Sequence, residues 1–277
     1  MKVLSNGMEI PEIGFGTWKI PNGEEAINSV QWAIDAGYKH IDTAAAYGNE
    51  ESVGIAIKNK GVRREDIFVT SKVFNDDQGY DKTLKAFENS LKRLDMEYLD
   101  LYLIHWPIPR GFFGDFKKLN IETWRAMERL YEEGLIKAIG LSNFKEIHLT
   151  PILCNANICP MVNQIEIHPG FNQEETVRFS KKNNIVVEGW SPLGSGALLN
   201  NKELKEIAKG YNKSVAQLSI KWSIQRGIIP IPRSTNKERI KENINVYDFT
   251  ISDEDMDKIN NINIKEWSGL DPDNLRY

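Results

Sequence analysis

Apolar positions along the chain fall into short continuous runs, separated by longer stretches in which they recur every three to four residues. The continuous runs lie at residues 13–17, 38–42, 67–72, 99–105, 137–142, 161–166, 185–190 and 228–232. Each is too short for a helix and is flanked by polar or turn-forming residues, the pattern of a strand covered on both faces. The amphipathic stretches lie at residues 24–36, 49–59, 82–94, 121–133, 145–155, 174–183 and 214–225, with an eighth at 237–245. Eight strands alternating with eight helices in about 250 residues predict an α/β fold, a closed (β/α)8 TIM barrel.

Some segments fall outside the rhythm. Asn6-Gly7, between residues 2–4 and 8–10, predicts a short N-terminal β-hairpin. Extra helices are predicted at residues 202–210, before the crossover helix of the seventh strand, and at 252–261, which opens with the capping pattern Ser252-x-x-Asp255. An irregular tail then runs to Tyr277. No linker or shift in composition interrupts the pattern, so residues 1–277 are expected to form one domain. The competing architecture, an open doubly wound sheet, normally carries G-x-G-x-x-G after its first strand. Gly14-Phe15-Gly16-Thr17-Trp18-Lys19 does not complete that motif.

Composition narrows the function. The 41% hydrophobic and 27% charged content is that of a globular protein. No apolar run approaches membrane-spanning length, and the first residues lack the apolar core of a signal peptide. A formal charge of −4 and a pI near 5.7 argue against nucleic acid or an anionic membrane as partner. Cys154 and Cys159, the two cysteines, form neither a disulfide framework nor a zinc site. The expectation is a cytoplasmic protein acting on a small molecule without a metal.

In a barrel, function collects where strands end. Those ends carry Thr17 and Trp18, Asp42 with Tyr47 in the following turn, Lys72, His105 and Trp106, Ser142 and Asn143, Gln164, Trp190 and Ser191, and Arg233 and Ser234. Four ionisable groups come from three successive strands: Asp42 with Tyr47, Lys72 and His105. Lys72 closes an almost wholly apolar run, so its ammonium needs a counter-charge, which Asp42 one strand away can supply. The set suits proton donation by a phenol. A tyrosine pKa of about 10 is high for an acid working near neutrality. An ammonium about 4 Å away, at an effective dielectric of roughly 20, favours the phenolate by up to about 4 kcal/mol. Asp42 subtracts from this while holding Lys72 charged. His105 would orient a carbonyl oxygen and share its developing charge. Reversible carbonyl reduction, with hydride from an organic cofactor, fits this set.

The motifs continue at the other strand ends. They are Gly16-Thr17-Trp18, the stretch from Gly37 to Gly54, Leu103-Ile104-His105-Trp106-Pro107, Gly140-Leu141-Ser142-Asn143-Phe144, Val162-Asn163-Gln164-Ile165-Glu166, Ser191-Pro192-Leu193-Gly194, and Ile231-Pro232-Arg233-Ser234 followed by Arg239, Glu242 and Asn243. Together they resemble the aldo-keto reductases, among them the bacterial diketo-gluconate and prostaglandin F synthase-like reductases. The resemblance implies a barrel whose hairpin covers its bottom, and an NADP(H)-dependent reductase with the tetrad Asp42, Tyr47, Lys72 and His105. It also implies a compact monomer acting on a small carbonyl substrate. Ser142, Asn143 and Gln164 would hold the nicotinamide carboxamide, and Trp190 would stack on the ring. Gly16, Thr17, Trp18 and Asp42 belong to the same implied cofactor site. Ser191, Leu193 and Ser195 would line the pyrophosphate path. Arg233, Ser234, Thr235 and Arg239 would hold the 2′-phosphate, with Glu242 and Asn243 at the adenine. Trp18, Tyr47, His105 and Trp106 would wall the substrate pocket. The family often has Tyr at the position of Trp190 and Lys at that of Arg233, where the guanidinium keeps the charge but presents a planar fork.

Other features keep a second function class open, a cofactor-binding sensor or structural subunit that turns over little. The intact tetrad argues against it, since binding alone needs no acid at Tyr47. A metal-dependent hydrolase would place His-x-His after the first strand, which is absent. His40 is expected in the wall or core of the second strand, His148 on a helix surface, and His168-Pro169 fixing a loop. Residues 110–119, 194–201 and 264–277 are expected to shape the pocket, with Trp267, Leu270 and Leu275 forming a flap over the mouth.

Overall fold

Gly7, at φ 85°, lets Asn6-Gly7 turn the chain back, so that β1 (Lys2–Val3) pairs antiparallel with β2 (Glu9–Ile10). The hairpin buries Leu4 and Ile10 in the main core, and the Asn6 amide donates to the Lys137 carbonyl at 3.0 Å. That anchor lies at the N-terminal end of a barrel strand, so the ribbon covers the bottom. The structure, a computed structural model, describes residues 1–109, 115–263 and 267–273.

Eight parallel strands follow: β3 (Phe15–Gly16), β4 (His40–Asp42), β5 (Phe68–Val73), β6 (Leu99–Ile104), β7 (Ile136–Ser142), β8 (Val162–Glu166), β9 (Val186–Trp190) and β10 (Ile229–Ile231). They pair in sequence order, with Asp42 opposite Thr70, Lys72 opposite Leu103, and Ser142 opposite Gln164. Every residue of β5 and β6 is buried, because the lumen lies on one side and helices on the other. The ring closes where Gly14 and Gly16 donate to the carbonyls of Pro230 and Pro232, each at 3.0 Å. In a parallel ladder a residue turns its N–H and C=O toward the same neighbour. The two prolines therefore accept across this seam but return no hydrogen bond.

The outer layer is α1 (Glu24–Ala36), α2 (Glu50–Asn59), α3 (Tyr80–Leu94), α4 (Phe116–Glu132), α5 (Glu146–Asn155), α6 (Glu174–Lys182), α8 (Val215–Gln225) and α9 (Lys237–Ile244). The extra helices are α7 (Lys202–Gly210) and α10 (Asp253–Asn260). Local chemistry sets their starts. Ser214 and Gln217 form a reciprocal capping box for α8, Asn236 caps α9, and the Ser252 hydroxyl accepts from the Asp255 amide at 3.2 Å. A second core gathers under α7, α8 and α10 around Leu204, Leu218, Trp222 and Ile259.

Two boundaries differ from expectation. Helix α4 begins at Phe116 rather than Ile121, because the Asp115 carboxylate accepts from the Lys117 and Lys118 amides. Of the loop expected at 110–119, residues 110–114 lie outside the described part, Asp115 caps the helix, and 116–119 belong to α4. Strand β5 continues one residue past Lys72, which is wholly buried rather than standing at the rim.

Candidate active site

Asp42 is the last residue of β4, Lys72 the fifth of β5, and His105 follows β6 directly. Tyr47 ends a single 3-10 turn, Ala45–Tyr47, which Gly48 at φ 68° closes. Asn49 pins this loop: its amide nitrogen donates to the Thr17 and Ile20 carbonyls, both at 2.9 Å, and its oxygen accepts from Thr43 Oγ1 at 2.8 Å. The four predicted groups are thereby brought together. Lys72 Nζ donates to Asp42 Oδ1 and Oδ2 at 2.7 and 2.8 Å, to the Thr43 carbonyl at 3.0 Å, and lies 3.2 Å from the Tyr47 hydroxyl. The Tyr47 and His105 rings meet edge to face with centroids 5.6 Å apart.

The electrostatics follow from burial. Burial alone would discharge Lys72, but Asp42 and then Tyr47 outweigh it and hold the ammonium above its ordinary pKa. Burial raises the Tyr47 phenol, and Lys72 lowers it by less, so the net shift is upward. This corrects the expectation that Lys72 would carry the phenol below its usual value: the low dielectric around the ring penalises the phenolate more than one shared ammonium favours it. Burial, reinforced by Lys72, holds His105 well below the ordinary imidazole range, so the ring is neutral. A neutral phenol and a neutral imidazole are both able to donate a hydrogen bond to one oxygen.

Beside the tetrad, a second set of side chains is locked in one orientation. Asn143, at φ 67°, donates from its amide to the His105 carbonyl at 3.0 Å and Ser142 Oγ at 3.1 Å, and accepts the Trp190 indole N–H at 2.8 Å. Ser142 Oγ donates to the Gln164 carbonyl at 2.9 Å, and the Gln164 amide nitrogen reaches Asp42 Oδ2 at 2.8 Å. Trp190 packs edge to face on Trp18 and on Trp106, at 6.0 and 6.4 Å.

Apart from Lys72, which is wholly buried beneath Asp42 and Tyr47, the predicted catalytic groups and this second set face one cleft of about 1470 Å³. It takes in Gly16, Trp18, Asp42, Tyr47, His105, Trp106, Ser142, Asn143, Gln164, Trp190, Ser191, Leu193 and Ser195, and it continues to Arg233, Ser234, Arg239, Glu242 and Asn243. Two expected cofactor residues fall outside it. Thr17 is wholly buried, with its hydroxyl donating to the Asp42 carbonyl at 3.0 Å, so it braces the tetrad loop instead of facing a ligand. Thr235 is half-buried and is not part of the lining. Among the described residues, eight other than glycine have positive φ, and five of them line the cleft: Lys19, Asn143, Ser191, Ser195 and Asn212. Backbone strain held in this way collects at ligand sites.

The cleft suits a long anionic cofactor. Arg233 and Arg239 border it at the N-terminus of α9, where free amide N–H groups and a partial positive charge favour phosphate. Lys205 and Lys209, one turn apart on α7, line it too and were not singled out from the sequence. Among the described residues, no group of three or more His, Cys, Asp or Glu side chains could hold a metal ion, and no helix is long and apolar enough to cross a membrane.

The remaining candidates sort plainly. His40 is buried in β4, with Nε2 at 2.9 Å from Thr70 Oγ1. His168 Nδ1 contacts the Pro169 carbonyl at 2.9 Å and shapes that loop. His148 is not on the helix surface: Phe116 and Phe144 pack on its ring and Asp273 from the tail meets Nε2 at 3.0 Å, leaving it buried. In the tail, Trp267 stacks on Phe171 at 5.5 Å, Ser268 donates from its amide and hydroxyl to the two Glu166 oxygens at 2.9 and 2.6 Å, and Leu270 lines the cleft. Leu275 lies outside the described residues.

The aldo/keto reductase family model matches residues 12–264. The chain is 52% identical over 274 residues to a glyoxal reductase of Bacillus subtilis, covering 99% of this chain and 96% of the relative. An aldo-keto reductase from a Medee basin deep-sea metagenome library superimposes with a TM-score of 0.94 at 46% identity, covering 100% of both chains. A mutant of Gox0644 in complex with NADPH gives a TM-score of 0.92 at 39% identity, covering 100% of this chain and 98% of that one. The chain belongs to the aldo/keto reductase family.

Proposed function

We propose that this protein is an NADP(H)-dependent reductase of small aldehydes, ketones or keto-sugars, in which Tyr47 gives the proton and Lys72, Asp42 and His105 support it. The observation that carries the reading is the wholly buried Lys72 ammonium, held between Asp42 and the Tyr47 hydroxyl at one end of a cleft that has arginines at the other. The relative named glyoxal reductase and the neighbour crystallised with NADPH support the substrate class and the cofactor.

The nicotinamide, when bound, supplies the hydride. The chain's own residues do the rest. Arg233, Ser234 and Arg239 hold the 2′-phosphate, and Ser142, Asn143 and Gln164 hold the carboxamide. Trp190, tethered by its N–H to Asn143, gives the ring a fixed plane to stack on. His105, neutral and packed on Trp106, donates to the substrate oxygen and sets its direction. Tyr47 is protonated at neutral pH and passes its proton to that oxygen as negative charge develops there. Lys72 then favours the phenolate left behind, and Asp42 keeps Lys72 charged. Trp18 and Trp106 wall the apolar side of the pocket.

The test is the loss of NADPH absorbance with a panel of small aldehydes, ketones and keto-sugars. Turnover of several panel members, faster with NADPH than NADH, is expected. Purified protein that binds NADPH but turns over none of the panel would refute the catalytic assignment.

A further inference from the structure

Glu188 lies in the middle of β9, wholly buried, and nothing in the reaction proposed above uses it. Its Oε2 accepts from Gln164 Nε2 at 2.9 Å, and the same nitrogen donates to Asp42 Oδ2 at 2.8 Å. Two carboxyl oxygens flanking one end of the amide identify that end as the nitrogen. Both its hydrogens are then occupied, so the atom that Gln164 has left for a ligand is the carbonyl Oε1, an acceptor. A carboxamide N–H is its matching donor.

The other side of Glu188 is equally informative. Among the described residues its Oε1 has no hydrogen-bond partner, nor does Nδ1 of His40, 3.8 Å away. Nε2 of His40 contacts the Thr70 hydroxyl, and Gly14 leaves the imidazole room, since a Cβ there would come within 2.8 Å of Nδ1. The 3.8 Å between them exceeds hydrogen-bond length, so neither satisfies the other; a proton on the carboxyl instead spares this closed site an unpaired buried negative charge. Burial and then Asp42 push Glu188 up to about 8, and burial pushes His40 down to about 3, which leaves one proton on the carboxyl near neutrality. The ionisable groups facing Glu188 are Asp42 and His40 of β4 and Lys72 of β5; β10 contributes only Ile229, Pro230 and Ile231. With Lys72 already paired to Asp42, an ionised Glu188 would be a second buried anion without a cation of its own.

We propose that Glu188, as a neutral carboxyl, is a positioning residue for the cofactor: it holds the Gln164 amide so that Oε1 accepts from the nicotinamide carboxamide. This rests on the cofactor reading above. Glu188→Gln keeps an oxygen for Gln164 and carries no charge, so it imitates the neutral carboxyl, whereas Glu188→Leu removes the acceptor. In fluorescence titrations without carbonyl substrate, Glu188→Gln should bind NADPH and NADH within about twofold of wild type. Glu188→Leu should weaken both alike, by about 5- to 10-fold, the worth of one buried hydrogen bond.

Glu188→Leu, folded and binding both cofactors as tightly as wild type, would overturn the positioning role alone. Equal losses in the Gln and Leu variants would overturn the neutral form, because Gln supplies the same hydrogen bonds without the charge. Wild-type protein that binds neither cofactor would overturn the cofactor site and this role with it. Should the Leu variant not fold, Glu188→Ala makes the same comparison.

Discussion

Removing Lys72 and Asp42 together should cost about as much as removing either one alone. Lys72→Met takes away an ammonium that makes two contacts of 2.7 and 2.8 Å to Asp42, leaving a buried carboxylate whose remaining side-chain hydrogen bond among the described residues is the Gln164 amide at 2.8 Å. Asp42→Asn leaves a wholly buried ammonium with the Thr43 carbonyl and the Tyr47 hydroxyl. Breaking a buried pair in this way costs about 3–5 kcal/mol for each variant. The double variant carries neither stranded charge, so it should lose about the same amount once rather than twice. The coupling energy between the two sites is therefore expected at about 3–5 kcal/mol, at or above the top of the range for residues in contact. Urea unfolding of the wild type, both single variants and the double variant, followed by tryptophan fluorescence at neutral pH, measures it directly. A double variant whose loss equals the sum of the single losses to within about 0.5 kcal/mol would show that the two charges do not sense each other, and the account of Lys72 would fall.

Tyr47→Phe keeps the ring and removes the proton donor, so kcat should fall by at least about 100-fold with NADPH binding intact; near wild-type reduction of a good aldehyde would rule Tyr47 out. Arg239→Ala should weaken NADPH by about 1–3 kcal/mol and leave NADH nearly unchanged, because NADH lacks the 2′-phosphate; equal losses for both cofactors in a fluorescence titration would remove that phosphate from Arg239. Ser268→Ala deletes the 2.6 Å hydrogen bond to Glu166 that fastens the tail, and should alter relative KM values among carbonyl substrates while NADPH affinity holds. Identical KM values across the panel would make the tail a structural element only. His105, held well below the usual imidazole pKa, stays neutral as pH falls from about 8 to 6, so its protonation should produce no limb in kcat/KM in that window; a limb near pH 6.5 that His105→Gln abolishes would contradict this.

The barrel and its rim were legible because the physics there is local. Strands covered on both faces must be apolar throughout, and β6 is, apart from Asp100; the cap pattern at Ser252 set the start of α10. The tetrad was readable because the C-terminal ends of barrel strands converge, so residues far apart in sequence meet there, Lys72 one residue below the end of its strand. What escaped depended on partners distant in the chain. His148 looked exposed because its cover comes from Phe116 and from Asp273, 125 positions away. Thr17 stood in a motif of the cleft but turns inward to Asp42, and Asn49, read as a helix start, proves to be the pin of the Tyr47 loop. A signal for Glu188 was present in the sequence, a charged residue in the apolar run at 185–190, and it points into the barrel. The upward shift of Tyr47 needed the depth of burial around the ring, which no spacing reveals.

The closing seam between β3 and β10 has a consequence for how the molecule is made. Gly14 must wait for Pro230, 216 residues later, before its amide finds a partner. At ribosomal speeds of about 5–20 residues per second, that is an interval of roughly 10–40 s. Throughout it the nascent sheet has two open parallel edges, each able to pair with another chain. When the ring does close, the prolines return no hydrogen bond across the joint, so this line is fastened from one side only. The last strand pair that synthesis allows to close is thus also a joint in which two prolines give nothing back.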